Sequence, residues 1–253
     1  MRPACVRHGA VASFLVAAFA AFALVPARAA DAPPPLKVLR HLSFDAIVDA
    51  KSVEEDKVSG FDGTSASGTQ SAPRAAGIRR STIVVDIVAA TADGGLAADV
   101  SEKGDGISEP PMRVGITAKA LLFDPRRPLS PEASTLLHYL ARDFMAAGDI
   151  AAGSSWTEQN DAGGTTSRMT YRVAAVDADA KTVDLRITGA SSAVGPNGFA
   201  ATSEGTVTYD TASLVPLAFT VATRSVARSM ERTVTTTSTV SATLRDDSFR
   251  HRS

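Results

Sequence analysis

Three histidines, His41, His138 and His251, are the side chains after residue 29 best suited to binding a metal ion or transferring a proton. None of them has a second histidine, a cysteine or a cluster of carboxylates at ligand spacing. Protein zinc sites use three or four such ligands. The sequence therefore predicts no metal site, and it contains no motif that would bind a cofactor.

The motifs of covalent and metal-assisted hydrolysis are absent as well. The sequence contains no G-x-S-x-G, S-x-x-K or H-E-x-x-H pattern. We therefore predict no catalytic residue and favour a non-enzymatic protein. A hydrolase is the third alternative, after a ligand-binding protein and an interaction module.

The first 29 residues have the features of a signal peptide. Their start is basic, residues 11–25 are almost entirely apolar, and Ala27-Arg28-Ala29 supplies the small-x-small pattern for cleavage. The apolar run is shorter than the roughly 20 residues that span a bilayer. We expect a periplasmic or secreted protein with no stable membrane span after cleavage.

We expect cleavage after Ala29 or Ala30 with no lipid attached, because Cys5, the single cysteine, precedes the apolar run instead of following it. The intact mass of the exported protein measures both properties. A mature chain that retains residues 1–25, or one that carries the mass of an acyl chain, would contradict this prediction.

The charge of the chain bears on its partners. The signal peptide holds three of the 26 basic residues and none of the 27 acidic ones, so the remaining chain is mildly acidic. Nucleic-acid-binding domains carry basic patches, so we expect no nucleic-acid partner. An apolar small molecule or an envelope protein is the expected partner, and the sequence leaves the oligomeric state open.

After the signal peptide, the sequence divides into a Pro-rich linker at 30–37, a single β-rich domain at 38–247 and a basic tail at 248–253. Apolar and polar residues alternate along much of the domain, which is typical of strands with one buried face. Strands are predicted at about 38–50, 80–101 (a hairpin), 112–122, 168–173, 182–188, 205–210, 215–224 and 232–245.

Two segments interrupt this alternation. Residues 51–79 are first charged and then dominated by Gly, Ser, Thr and Ala, which predicts a mobile loop of more than twenty residues. Residues 103–111 end in two prolines and predict a second loop.

One helix is predicted at about 131–147. Ser130 is a good N-cap, Pro131 suits the first helical position, and Glu132 favours the positive end of the helix dipole. Apolar residues recur at helical spacing along one side. These side chains, together with the single tryptophan, would pack on the sheet or line a cavity: Leu136, Leu140, Phe144 and Trp156.

The C-terminal half carries a pattern with a resemblance. It consists of Trp156, Tyr171-Arg-Val173, Gly205-Thr-Val-Thr-Tyr209-Asp210 and Leu214-Val-Pro216. This pattern resembles one in uncharacterised secreted bacterial β-rich proteins, and the wider architecture is similar to periplasmic lipoprotein carriers (LolA-like). The resemblance implies a half-barrel that wraps around helices and encloses an apolar cavity for acyl chains. No functional residue of that family maps onto a position in this sequence.

The sequence thus predicts a mainly β protein, with an antiparallel curved sheet or open half-barrel and one amphipathic helix on its concave face. A two-sheet β-sandwich is the alternative. The function predicted first is an exported, non-enzymatic protein that binds an apolar or lipid-like ligand. The alternative is a structural or protein-interaction module of the cell envelope.

Overall fold

The computed structural model describes residues 37–57, 69–90, 95–117, 121–124, 126–140, 150–162, 164–195, 198–229 and 232–249. These residues belong to one compact unit, Leu36–Ser253. The predicted signal peptide, nearly all of the Pro-rich linker, and His251 with most of the basic tail lie outside the described residues.

Eleven strands and one helix make up the described part of the chain. The helix, α1, comprises Pro131–Leu140. The strands are β1 (Arg40–Lys57), β2 (Thr69–Ala90), β3 (Leu96–Gly104), β4 (Ile107–Ile116), β5 (Leu121–Leu122), β6 (Ser155–Ala162), β7 (Thr165–Asp177), β8 (Thr182–Ala193), β9 (Phe199–Asp210), β10 (Pro216–Arg228) and β11 (Arg232–Asp247).

All eleven strands belong to one antiparallel sheet, in the order β5-β4-β3-β2-β1-β11-β10-β9-β8-β7-β6. The first five strands and the last six each form a meander, and the pairing of β1 with β11 joins the two meanders. The sheet is not closed, because β5 and β6 are its edges. The prediction of an open antiparallel sheet with one helix is therefore confirmed, and the two-sheet sandwich is wrong.

The alternation along the strands builds one continuous core. On β1, Leu42, Phe44, Ala46 and Val48 are buried, as their period-two spacing predicts. Their counterparts on β7 to β11 include Tyr171, Leu185, Val207, Phe219 and Val240. We call the face that carries these residues the inner face and the opposite one the outer face.

The helix covers part of the inner face and packs against β1, β4 and β11. Its N-cap is as predicted, since the Ser130 hydroxyl accepts a hydrogen bond from the backbone N–H of Ala133 at 3.0 Å. At the other end, the Tyr209 hydroxyl of β9 donates to the backbone oxygen of Tyr139 at 3.0 Å. Residues 141–147, including Phe144, lie outside the described residues.

The prediction of a mobile loop at 51–79 is wrong for most of that segment. β1 continues to Lys57 and β2 begins at Thr69, so that Lys51 pairs with both Ala76 and Thr237. These strand segments extend past the apolar core, whose last buried residue on β1 is Val48. Main-chain hydrogen bonds need no apolar side chains, so the backbone ladder continues where the hydrophobic pattern has stopped.

The predicted loop at 103–111 is also wrong. β3 and β4 form a hairpin with a tight turn at Asp105-Gly106, where Gly106 has a φ of 71° that glycine adopts readily. Pro110 and Pro111 lie within β4. They are tolerated because β5 pairs only with the far end of β4, at Gly115 and Ile116, which leaves the prolines at a sheet edge.

Candidate functional site

Three of the four predicted packing residues, Leu136, Leu140 and Trp156, lie within the described part of the chain, and the structure brings them together in the core. Leu136 is fully buried, Leu140 is 7% exposed, and both belong to the same core as the sheet residues. Trp156 of β6 is partly buried and stacks on Tyr171, with ring centroids 5.5 Å apart and planes 12° from parallel. These contacts make Trp156 part of the wall that the sheet presents to the core.

The histidines occupy two different settings. The Nδ1 atom of His41 lies 2.6 Å from the Asp86 carboxylate on the outer face. His138 is exposed on α1, and its Nε2 atom lies 3.4 Å from the Tyr171 hydroxyl, which also donates to Glu158 at 3.2 Å. Among the described residues, no group of three or more histidine, cysteine or carboxylate side chains could hold a metal ion.

A groove of about 720 Å³ crosses the outer face of the sheet. Most of its lining side chains lie at outward-pointing positions of five neighbouring strands. These residues are Asp49 and Lys51 of β1, Thr188 of β8, Thr202 and Glu204 of β9, Ala222 and Arg224 of β10, and Thr237 and Thr239 of β11.

The strand register arranges this lining in rows. In one row, Glu204, Ala222, Thr239 and Asp49 are successive cross-strand neighbours. In the next row, the neighbours are Thr202, Arg224, Thr237 and Lys51. Directly opposed side chains on one face lie about 5 Å apart. The groove is therefore a rigid array of hydroxyl and charged groups held by the backbone ladder.

Among the described residues, four charged side chains line the groove, two of each sign. Within the described residues, the side chains of Asp49, Lys51, Glu204 and Arg224 form no ion pair and no side-chain hydrogen bond. Other outer-face charges do pair, such as Arg113 with Asp99 at 2.6 Å. The groove thus offers donors and acceptors that the rest of the described chain does not occupy.

Apolar side chains adjoin the groove. Ile78 of β2 is the cross-strand neighbour of Asp49, and it is 56% exposed. Ile47, two residues before Asp49 on the same face, is exposed as well. A polar array beside exposed isoleucines is a surface on which both polar and apolar groups of a partner can be buried.

A second polar cluster lies on the inner face at the N-terminus of α1. Glu132 is 1% exposed, and Arg79 of β2 donates to its Oε1 atom through Nη2 and through Nε, the latter at 2.9 Å. Glu102 of β3 is 4% exposed and accepts a hydrogen bond from Ser81 Oγ at 2.6 Å. The Ser130 side chain, which caps the helix, also lies beside Glu102 and lines the same small cavity, so the cap adjoins the cluster.

The environment of Glu102 changes its acidity. Burial raises the pKa of its carboxyl above the ordinary 4.5, and the neighbouring Glu132 raises it further, whereas hydrogen bonds from Ser130 and Ser81 oppose the rise. A cavity of about 30 Å³ adjoins Glu102 and Ser130, and its other described lining residues are apolar except for Ser101, Glu109 and Arg127. This volume holds about one water molecule.

Sequence reasoning missed both polar sites. The alternation of β11 does indicate that its threonines face solvent, but only the register places them beside Arg224 and Lys51. The sequence predicts Glu132 only as a negative charge suited to the first helical turn, and the structure shows that it is also buried. No signal in the sequence links it to Glu102, because thirty residues separate them.

Comparisons with known proteins supply no further identification. No family model, no curated protein and no solved structure matches this chain. Within the described residues, no helix has the length and apolar character needed to cross a membrane.

Proposed function

We propose that this chain is an exported, non-enzymatic interaction module that holds an extended polypeptide segment of an envelope protein in its outer-face groove. The observation that carries the proposal is the groove itself, whose four charged side chains have no partner within the described residues. Extended backbone offers amide and carbonyl groups that threonine hydroxyls can bind, and its side chains can pair with charges of either sign.

The chemistry of the lining favours a polypeptide over a glycan. None of the described residues that line the groove is aromatic. Sugar rings in protein sites commonly pack on aromatic faces, and this groove provides none. The exposed isoleucines at its side, Ile47 and Ile78, fit apolar side chains of a partner.

Binding of an apolar or lipid-like ligand is the second candidate function. An open sheet with a helix on its inner face supports it, since this is the arrangement that a carrier of acyl chains requires. The ligand would have to enter between α1 and the sheet, where Leu136 and Leu137 are fully buried against the core. This function therefore requires the helix to move.

Photo-crosslinking in the native host distinguishes the two functions. A photoreactive amino acid replaces Thr239 in the groove or, as a control, Thr157 on the outer face of β6. We expect crosslinks to a defined polypeptide from position 239 alone. The double variant Lys51→Glu, Arg224→Glu should reduce their yield about tenfold or more, because like charges placed opposite each other cost several kcal/mol.

The matched control makes the same change of charge elsewhere on the outer face. Arg172→Glu with Arg186→Glu alters two exposed arginines that do not line the groove, and it should keep the crosslink. The proposal is wrong if position 239 gives no polypeptide crosslink. Saturable binding of a fluorescent fatty acid by the purified protein would then favour the apolar ligand.

A further inference from the structure

The charges in the cluster at the N-terminus of α1 do not balance when every group is ionised. The cluster contains one guanidinium, Arg79, and two carboxyls, Glu102 and Glu132. An arginine stays protonated in proteins. Two ionised carboxylates would therefore leave one uncompensated negative charge in a place that water scarcely reaches, whereas one added proton makes the cluster neutral.

An unpaired oxygen shows where that proton is needed. The Oε2 atom of Glu132 is buried and accepts no hydrogen bond from the described residues, although Arg79 occupies the Oε1 atom of the same carboxylate. A buried acceptor without a donor costs about 1–3 kcal/mol. A protonated Glu102 carboxyl beside it would supply the missing donor.

Other charged groups around Glu102 leave this balance unchanged. On β4, Glu109 is the cross-strand neighbour of Glu102, and it is exposed to water. In the segment before α1, Arg127 lies across the small cavity, is exposed, and donates to the backbone oxygen of Pro110 at 3.0 Å. On β2, Ser81 contributes a neutral hydroxyl. Among the described residues, the guanidinium of Arg79, whose side chain is 37% exposed, is thus the one cation that pairs with a carboxylate of the cluster.

We propose that the Glu102 carboxyl holds a proton that it donates to the Glu132 carboxylate, and that this hydrogen bond latches the N-terminus of α1 onto the sheet. The latch consists of Arg79, Glu132, Glu102 and Ser130, and it joins β2 and β3 to the first turn of the helix. Loss of the proton adds a second negative charge to the cluster and loosens this turn. Because α1 packs its own Leu136 and Leu137 against the core of the sheet, loosening the helix gives access to the apolar inner face.

The direction of the pH dependence follows from the raised pKa of Glu102. Below its ordinary pKa of 4.5, the carboxyl is protonated in the folded and in the opened chain, and the latch is complete. As the pH rises from there towards the folded-state pKa, the opened form releases a proton that the closed form keeps. The equilibrium constant for opening the latch therefore increases by up to about tenfold per pH unit in this window and then becomes constant.

Hydrogen exchange of the α1 amides, corrected for the intrinsic rate, measures this opening from about pH 5 to about pH 8. We expect the protection of the Leu136, Leu137 and Leu140 amides to fall with pH in the wild type. Glu102→Gln keeps a hydrogen-bond donor but cannot ionise, so its protection should be independent of pH. Glu109→Gln, on the facing strand position, should behave like the wild type.

A second measurement on the wild type keeps the test independent of how the variants fold. Infrared difference spectra should show one buried carboxyl that stays protonated at pH values where carboxyls of ordinary pKa are ionised. Its band should vanish in Glu102→Gln and persist in Glu109→Gln. The proposal is overturned if every carboxyl titrates normally, or if Glu102→Gln leaves the pH dependence of α1 exchange unchanged.

Discussion

Leu136→Ala is expected to lower the free energy of unfolding by roughly 2–5 kcal/mol, the usual range for truncating a buried leucine. Leu136 is fully buried where α1 meets the sheet, and its neighbours there belong to the single continuous core. The truncation removes apolar contact and leaves a cavity that the strand ladder cannot close. Urea denaturation measures the loss, with the fluorescence of Trp156, which stacks in the same core, as the signal.

Two further variants on the same helix calibrate this result. Leu140→Ala should lower the free energy of unfolding by an amount near the lower end of the same range, because Leu140 is slightly exposed at the end of the described helix. His138→Ala should cost at most about 1 kcal/mol, since its ring is exposed and its contact with the Tyr171 hydroxyl is long. A change of less than about 0.5 kcal/mol for Leu136→Ala would mean that α1 does not pack on the sheet.

Asp247→Ala is expected to cost about 3–5 kcal/mol, because it leaves a buried arginine without its counter-charge. The Asp247 carboxylate is 2% exposed, and Arg40 donates to it through Nε at 3.0 Å and through Nη2 at 2.6 Å. The backbone N–H of Phe249 donates to the same carboxylate at 3.0 Å, and the Phe249 ring lies against the Arg40 guanidinium. This pair fastens the end of β11 to the start of β1, where the two meanders join.

The chain provides a matched control in a second, exposed pair of the same geometry. Arg113 donates to Asp99 through Nε at 2.6 Å and through Nη2 at 2.9 Å, but this pair is open to solvent. Asp99→Ala should cost no more than about 1 kcal/mol. The double variant Arg40→Met, Asp247→Leu should be considerably more stable than Asp247→Ala, since it removes both charges of the pair. Equal losses for Asp247→Ala and Asp99→Ala would contradict the argument from burial.

Much of the sheet could be predicted from the sequence where one strand face is buried. The alternation at Leu42, Phe44, Ala46 and Val48 indicates a strand with one dry face, and these residues are in the core. The same reasoning located the strands around Tyr171, Leu185 and Val240. The start of α1 was equally visible, because the cap at Ser130 depends on residues only three positions apart.

Prediction failed where the strands leave the core. Residues 51–57 and 69–79 carry no apolar stripe, yet they pair with one another, and β1 also pairs with β11. Their backbone is held by main-chain hydrogen bonds, which are the same for every residue except proline and therefore leave no trace in the pattern of side chains. The prediction of a loop at 103–111 was wrong for a different reason. The two prolines suggested a loop, but they lie at a sheet edge where no partner strand requires an N–H group from them.

Neither polar site has a sequence signature. The groove exists because the register of β1 with β11, and of β10 with β9 and β11, places Lys51, Thr237 and Arg224 side by side. The buried glutamates come together because α1 returns over the sheet and sets Glu132 against Glu102 and Arg79. In both cases the partners are distant in sequence, and ordinary surface residues have the same types and spacing.

The sequence by itself determined the class of fold, mainly antiparallel β with one helix, since hydrophobic period and helix caps are properties of neighbouring residues. Only the tertiary structure decided how far the strands extend, which charges are buried and which remain without a partner. The physical reason is that burial and pairing depend on distances between segments that the chain brings together when it folds. A glutamate in the first turn of a helix is a solvated charge or the buried partner of an arginine according to what packs against it, as Glu132 and Arg79 show.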